Sequence, residues 1–138
     1  MDKFLLMIKN QSSLRPLWMN IIWVFCLYMT FIYMPFDLFY KPVELDEEVW
    51  FGFTLYGWYA KATEPLHWFI YGAGAYGFWK MKSWMWPWAS LYCLQVSIAF
   101  AVYVLLNGGS VYASVVSGLV FLIPTVMLYR SRDVFGSG

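Results

Sequence analysis

Charged side chains are scarce in this sequence, and their scarcity indicates its class. Only 12% of the 138 residues are charged, about half the share of a soluble domain, whereas 62% are hydrophobic and 23% aromatic. The chain is therefore predicted to be an integral membrane protein, and its length fits a single domain. We place this domain at residues 1–135 and interpret Gly136-Ser137-Gly138 as the remnant of an added tag.

Cysteine and histidine are also nearly absent. Cys26 and Cys93 lie inside apolar stretches, where a free thiol acts as a small packing residue, so no disulfide framework is indicated. His67 is the only histidine, and a first-row metal site would have to recruit carboxylates from residues 46–48. We predict neither a metal site nor a cofactor.

Several functional classes lack their sequence signatures. No phosphate-binding loop, serine nucleophile elbow, kinase signature or calcium-loop spacing is present. The basic residues are dispersed, which argues against nucleic-acid binding. None of the clear apolar spans carries the mid-membrane ionisable pair typical of pumps and proton relays. A small oligomeric channel or transporter remains an alternative, but it would need a polar path and a symmetric oligomer.

The few charges that exist are arranged by sign. Six of the eight acidic residues lie between positions 37 and 64, whereas seven of the nine basic residues flank hydrophobic spans at three separate places. Those places are Lys3, Lys9 and Arg15, then Lys80 and Lys82, then Arg130 and Arg132. Because cytoplasmic loops gather Lys and Arg, both termini are predicted to be cytoplasmic, in a bacterial inner membrane or in the endoplasmic reticulum.

Four transmembrane helices satisfy this charge order. The spans are predicted at about residues 17–36, 64–80, 84–106 and 111–129, close to the roughly 20 residues that a helix needs to cross the hydrocarbon. Thr63 is the expected N-cap of the second helix, with Pro65 in its first turn. The fold class is thus an all-α, integral membrane bundle of four helices.

The stretch from Asp46 to Ala60 is too short to cross the bilayer. Its acidic start, its aromatic residues and its two glycines predict an interfacial or re-entrant helix between the first and second spans. Small residues at four-residue spacing, Ala73 and Gly77 in one span and Ser114 and Gly118 in another, favour close helix packing within the chain, with a homodimer seam as the alternative.

Chemistry is less clearly indicated. Glu64 and His67 share a helix face, and Asp37 could approach them from the end of the first helix, so these three residues are the candidate catalytic groups. A purely structural role for each is the competing interpretation, since an acidic first turn also stabilises a helix. The candidate ligand-binding residues are those of the aromatic interior and one amide within a span: Trp58, Trp68, Tyr71 and Gln95.

About 90 residues contain local stretches that resemble the EXPERA family, the four-helix membrane proteins that include emopamil-binding sterol isomerases. The stretches are Asp37, Pro42-Val43-Glu44, Trp58-Tyr59-Ala60-Lys61, Glu64-Pro65-Leu66, Trp68-Phe69, Lys80, Trp84, Pro87, Tyr92, Leu122-Ile123-Pro124 and Arg130-Ser131. The match needs an insertion at residues 46–56 and a deletion in the second helix. The acidic residue usual in that helix is missing from Gly72 to Gly77.

The resemblance implies a lipid-open cavity for a sterol-like or other apolar molecule, with Asp37 as an acidic site. Together with the composition, it leads to the prediction of a small membrane protein that binds a hydrophobic ligand among membrane lipids, or that serves as an accessory subunit of a membrane complex. The alternative is a membrane-embedded isomerase or hydrolase acting on a lipid or sterol through Asp37, Glu64 and His67.

Overall fold

The computed structural model describes residues 1–136, in which the chain is mostly helical. Of the suggested tag remnant, Ser137 and Gly138 lie outside the described residues. Within these residues, five α-helices and one two-stranded hairpin follow one another: α1 Asp2–Ser13, α2 Leu17–Phe39, β1 Glu47–Trp50, β2 Phe53–Tyr56, α3 Trp58–Lys80, α4 Met85–Leu106 and α5 Val111–Tyr129. Helix α1, which was not predicted, contains no buried residue.

Helices α2, α4 and α5 are long and apolar enough to cross a membrane. Only 17% of the most apolar 18-residue window of each is buried inside the chain, so most of their hydrophobic side chains face outward. Outward-facing apolar surface on this scale needs lipid rather than water around it. The protein is a multi-pass integral membrane protein, as the composition predicted.

Helix α2 is longer than predicted and is locally widened. Residues Met29–Tyr33 form a single π-helical turn, after which the α-helix continues to Phe39. Pro35 lies just beyond this turn and lacks the N–H that a regular helix would donate to the Phe31 carbonyl. The proline therefore changes the helix without ending it, and Asp37 is buried inside the last turn.

Helix α3 also begins earlier than the predicted residue 64. Gly57, with φ of 58°, precedes the first turn, and Thr63 bonds the Ala60 carbonyl through its hydroxyl at 3.0 Å. Thr63 is therefore an internal residue and the predicted N-cap is wrong. Pro65 lies inside the helix, well past the first turn.

The predicted interfacial helix at residues 46–60 is replaced by a β-hairpin and the start of α3. Strands β1 and β2 pair antiparallel, with Glu47 opposite Tyr56 and Trp50 opposite Phe53. Phe51 and Gly52 form the two-residue turn with positive φ at both positions, as such hairpins require. A Cβ on Gly52 would lie 2.4 Å from the Val102 Cβ, so the hairpin tip rests directly against α4.

Small residues bring α4 and α5 together within the chain. The Ser97 hydroxyl donates to the Gly118 carbonyl at 2.6 Å, and the Ser114 hydroxyl donates to the Ala101 carbonyl at 2.7 Å. Such contacts need the close backbone approach that small residues permit. The prediction of intramolecular packing for the Ser114 and Gly118 face is confirmed.

The apolar core lies at the end of the bundle where α3 finishes, opposite the hairpin. Its buried members include Met19, Phe78, Met81, Met85 and Leu128. Arg15 closes this end from the loop before α2: its Nη1 donates to the Phe78 carbonyl at 2.7 Å and its Nε donates to Asn20 Oδ1 at 2.9 Å. The cation thereby satisfies a free carbonyl at the C-terminal end of α3.

Candidate functional site

Buried charges gather where the end of α2, the hairpin and the first turns of α3 meet. The Lys41 ammonium lies 3.1 Å from Asp37 Oδ1 and 3.5 Å from Asp46 Oδ1. The Lys61 ammonium lies 3.1 Å from Asp46 Oδ2 and 3.6 Å from Glu64 Oε2, and it also donates to the Asp37 backbone carbonyl. The aspartates and Glu64 are almost fully buried, so each depends on these partners rather than on water.

Lys41 shows how strongly the surroundings favour its charge. Burial by itself would lower the pKa of Lys41, but the hydrogen bond to Asp37 and the nearby Asp46 carboxylate raise that pKa above its usual value. Lys41 is therefore a fixed positive charge at neutral pH.

A second polar pair lies beside this group. His67 Nδ1 is bonded to Glu48 Oε2, which joins α3 to strand β1. The plane of the imidazole is fixed as well, because one face of the ring stacks on the indole of Trp50. Both contacts depend on the hairpin, since Glu48 and Trp50 belong to β1.

The Glu48 and His67 pair lines a partly open cavity of about 310 Å³ between α2, the hairpin, α3 and α4. Its wall is predominantly aliphatic and aromatic: Met29, Tyr33, Met34, Glu48, Val49, His67, Tyr71, Tyr92, Gln95, Val96, Ala99, Phe100 and Tyr103. The Tyr92 hydroxyl donates to the Tyr71 hydroxyl at 3.0 Å across the gap between α4 and α3. An apolar cavity with a few convergent polar groups is the usual form of a small-molecule site.

Three carboxylates come close enough to share one ion. Asp37, Glu48 and Glu64 each offer an oxygen, and these oxygens lie within 4.8 Å of one another. The three residues belong to α2, β1 and α3, so the fold assembles the group from separate parts of the sequence.

The three candidate catalytic residues lie near one another, but they contact different groups. Asp37 and Glu64 lie in the charge group and do not line the cavity, whereas His67 does. Glu48, rather than Asp37 or Glu64, is the carboxylate bonded to His67. The sequence placed Glu48 in the acidic start of an interfacial helix, whereas in the structure Glu48 belongs to strand β1 and reaches His67.

The candidate ligand-binding residues are divided. Tyr71 and Gln95 line the cavity. Trp58 is 76% exposed at the start of α3 and does not reach it. Trp68 lies outside the cavity, donates from Nε1 to the Thr30 carbonyl at 2.8 Å and borders an open groove between α2 and α3. Tyr92 is a lining residue that was not selected as a ligand contact.

Comparison with protein family models, curated proteins and solved structures finds no match to this chain.

Proposed function

We propose that this protein crosses the bilayer four times and binds a hydrophobic molecule carrying one polar group in the cavity between α2, the hairpin, α3 and α4. The observation that carries the proposal is the cavity itself, a space of about 310 Å³ with an aromatic wall and the Glu48 and His67 pair at one edge.

The fourth crossing in this proposal is α3. At 23 residues it is about 35 Å long, which suffices for the hydrocarbon core. Its charged residues support the assignment, because Lys61 and Glu64 lie in the first two turns and contact each other, while Lys80 ends the helix. Both termini are then cytoplasmic, and the hairpin lies on the opposite side.

Cysteine labelling tests this topology. In a protein whose Cys26 and Cys93 are replaced by Ala, single cysteines are introduced at the exposed positions Glu44 and Ser83. An impermeant maleimide should reach them from opposite faces of a sealed vesicle. If both cysteines were labelled from the same face, α3 would not be a transmembrane helix.

The lining of the cavity supports a hydrophobic ligand with one polar group. Apolar and aromatic side chains would bury the body of the molecule, while Glu48, His67 and Gln95 supply acceptors and donors for a single hydroxyl or amine. The EXPERA resemblance supports a sterol-like ligand, but it implied Asp37 as the acidic site. Since Asp37 is paired with Lys41 outside the cavity, we assign the ligand-facing carboxylate to Glu48.

Binding of a fluorescent sterol, dehydroergosterol, to the detergent-solubilised protein tests the assignment. Ala99→Trp fills the cavity and should weaken binding at least about tenfold, because an indole occupies much of a space this size. Leu119→Trp, on the outward face of α5, is the matched control and should bind as the unaltered protein does. Equal binding by both variants would place the sterol outside the cavity.

A second candidate function is proton transfer to the bound molecule, as in a sterol-type isomerase. It is favoured by one observation: the imidazole and carboxylate line the same apolar cavity, where an acid and base must lie within reach of the reacting atoms. Such an isomerisation adds one proton to a carbon and removes another, with no net change.

Turnover separates the two candidates. For a sterol with a movable ring double bond, followed by mass spectrometry, His67→Gln should abolish isomerisation while leaving dehydroergosterol binding nearly intact. Absence of turnover by the unaltered protein would leave the binding function alone.

A further inference from the structure

The carboxylates beside the cavity hold more negative charge than their partners neutralise. Asp37, Asp46, Glu48 and Glu64 contribute four carboxyl groups, whereas Lys41 and Lys61 contribute two positive charges. If all four carboxyl groups are ionised and His67 is neutral, the group carries a charge of −2. A charge of this size inside a protein needs a compensating ligand or protons.

Each lysine is shared between Asp46 and one other carboxylate, Asp37 for Lys41 and Glu64 for Lys61. Lys41 and Lys61 each approach one oxygen of Asp46, at 3.5 Å and 3.1 Å, so that carboxylate receives both cations. Of the remaining three, Asp37 contacts Lys41 through Oδ1, and Glu48 is bonded to His67 through Oε2. Two shared lysines therefore cannot neutralise Asp37, Glu48 and Glu64 in addition to Asp46.

Glu64 is the residue that points to a ligand. Its exposed fraction is 0%, and neither carboxylate oxygen has a hydrogen-bond partner within residues 1–136. The Lys61 ammonium is 3.6 Å from Oε2, beyond hydrogen-bond distance. Glu64 is therefore a fully buried carboxylate that faces two others and receives no hydrogen bond on either oxygen. Buried polar atoms normally have partners, so these oxygens are available to bind a ligand.

The spacing of the three carboxylates suits a cation. Oxygens on opposite sides of a Ca²⁺ ion are separated by twice a metal–oxygen distance of about 2.3–2.6 Å, or roughly 5 Å, and neighbouring ones lie closer. The oxygens of Asp37, Glu48 and Glu64 lie within 4.8 Å of one another. The bond from His67 holds Glu48 in place, as residues behind a metal ligand commonly do.

We propose that Asp37, Glu48 and Glu64 bind one divalent cation of the hard, oxygen-preferring class, Ca²⁺, Mg²⁺ or Mn²⁺. Three carboxylates without a nitrogen or sulfur ligand select this class. One such ion brings the group of four carboxylates and two lysines to neutrality. Because the three ligands belong to α2, β1 and α3, the ion ties the hairpin to the helices beside the cavity. The proposal does not depend on the ligand-binding function.

Mn²⁺ is the probe for the test. The full-length protein in detergent is treated with EDTA, exchanged into metal-free buffer at pH 7.5 and titrated with Mn²⁺, whose unbound fraction is read by electron paramagnetic resonance. We expect one Mn²⁺ per chain, displaced by excess Ca²⁺ or Mg²⁺, and a thermal unfolding midpoint that rises with Mn²⁺. A titration without saturable binding in the unaltered protein overturns the proposal, and this arm requires no variant.

Substitutions locate the ion. Glu64→Gln and Asp37→Asn keep side-chain shape and should each weaken Mn²⁺ binding at least tenfold and remove the thermal shift. Glu44→Gln and Glu47→Gln, on exposed residues of the same segment, should leave both unchanged. Equal weakening in the exposed controls would indicate surface binding and overturn the site.

Protons are the competing way to balance the charge. In this alternative Glu64 shares a proton with Asp46 instead of binding an ion. The unaltered protein should then take up no Mn²⁺, and the Glu64→Gln variant in EDTA should be at least as stable as the unaltered protein. That pair of results overturns the proposal. Dehydroergosterol binding is measured separately, with and without EDTA. Unchanged binding would mean that the proposed function of the cavity holds even if no ion binds to the carboxylates.

Discussion

The imidazole of His67 lies flat on the indole of Trp50, with ring centroids 3.7 Å apart and an interplanar angle of 4°. The stack joins α3 to the hairpin at the edge of the cavity. Stacked aromatic rings contribute to stability beyond the area that they bury. Trp50 therefore holds the imidazole in one orientation while Glu48 bonds its Nδ1.

Trp50→Ala should lower the free energy of unfolding by about 2 kcal/mol, less than the loss for a fully buried Trp because Trp50 is half-buried. Trp50→Phe retains an aromatic face and should lose clearly less. The measurement is reversible unfolding in mixed micelles, followed by far-ultraviolet circular dichroism. Equal losses in the two variants would mean that the stack contributes nothing specific.

Gly52→Ala should detach the hairpin tip from α4. The new Cβ would meet Val102 at 2.4 Å and the Tyr103 backbone nitrogen at 2.8 Å, which adds a steric cost of about 1–3 kcal/mol to the strain of the positive φ. Gly108→Ala is the matched control, because Gly108 has φ of 83° with open space around it. Hydrogen exchange in residues 47–56 should rise only in the Gly52 variant; a rise in both would mean that the effect does not come from the contact with Val102.

Lys61→Met should be among the most destabilising single changes in the hairpin region. It leaves Glu64 without its cation and Asp46 with Lys41 alone, at 3.5 Å, and breaking a buried ion pair typically costs about 3–5 kcal/mol. Lys41→Met should lose less, about 1 kcal/mol, because the Lys41 side chain is 25% exposed against 11% for Lys61. Unfolding titrations of both variants compare them, and the reverse order would contradict this account of the charge group.

Arg15→Lys should weaken the opposite end of the bundle. Lys cannot reproduce the fork that reaches the carbonyls of Phe78 and Gln11, at 2.7 Å each, together with Asn20 Oδ1. The loss should be about 2 kcal/mol, since the freed carbonyls lie in a largely buried position. Lys9→Arg, on the exposed α1, is the control and should leave the unfolding midpoint unchanged.

The helices were predictable where a long apolar run has sharp borders. Helix α5 matches its predicted span, 111–129, and α4 begins one residue after the predicted start. Trp84 with Lys82 marks one border, and the Asn107-Gly108-Gly109-Ser110 turn marks the other. Helix α3 was less clear because polar residues in its first turns were taken for an interface.

The hairpin was missed because its aromatic residues were counted as membrane-interface anchors. Valine, phenylalanine, threonine and tyrosine on both sides of Phe51-Gly52 are also typical of two strands joined by a short turn. Once β1 is a strand, Glu48 and Trp50 point to the same face, toward His67. No periodicity in the sequence links residue 48 to residue 67, so this half of the site required the tertiary structure.

The π-helical turn of α2 determines which way the last part of that helix faces. The π-helical turn contains one residue more than a regular turn. This extra residue rotates all the residues after it by about 100° about the helix axis. Met34 and Asp37, both buried beyond the turn, owe their inward direction to that offset. Deleting one residue at Thr30 would restore an ordinary helix and swing the Asp37 carboxylate away from Lys41, Glu48 and Glu64, dismantling the polar site without altering any of its side chains.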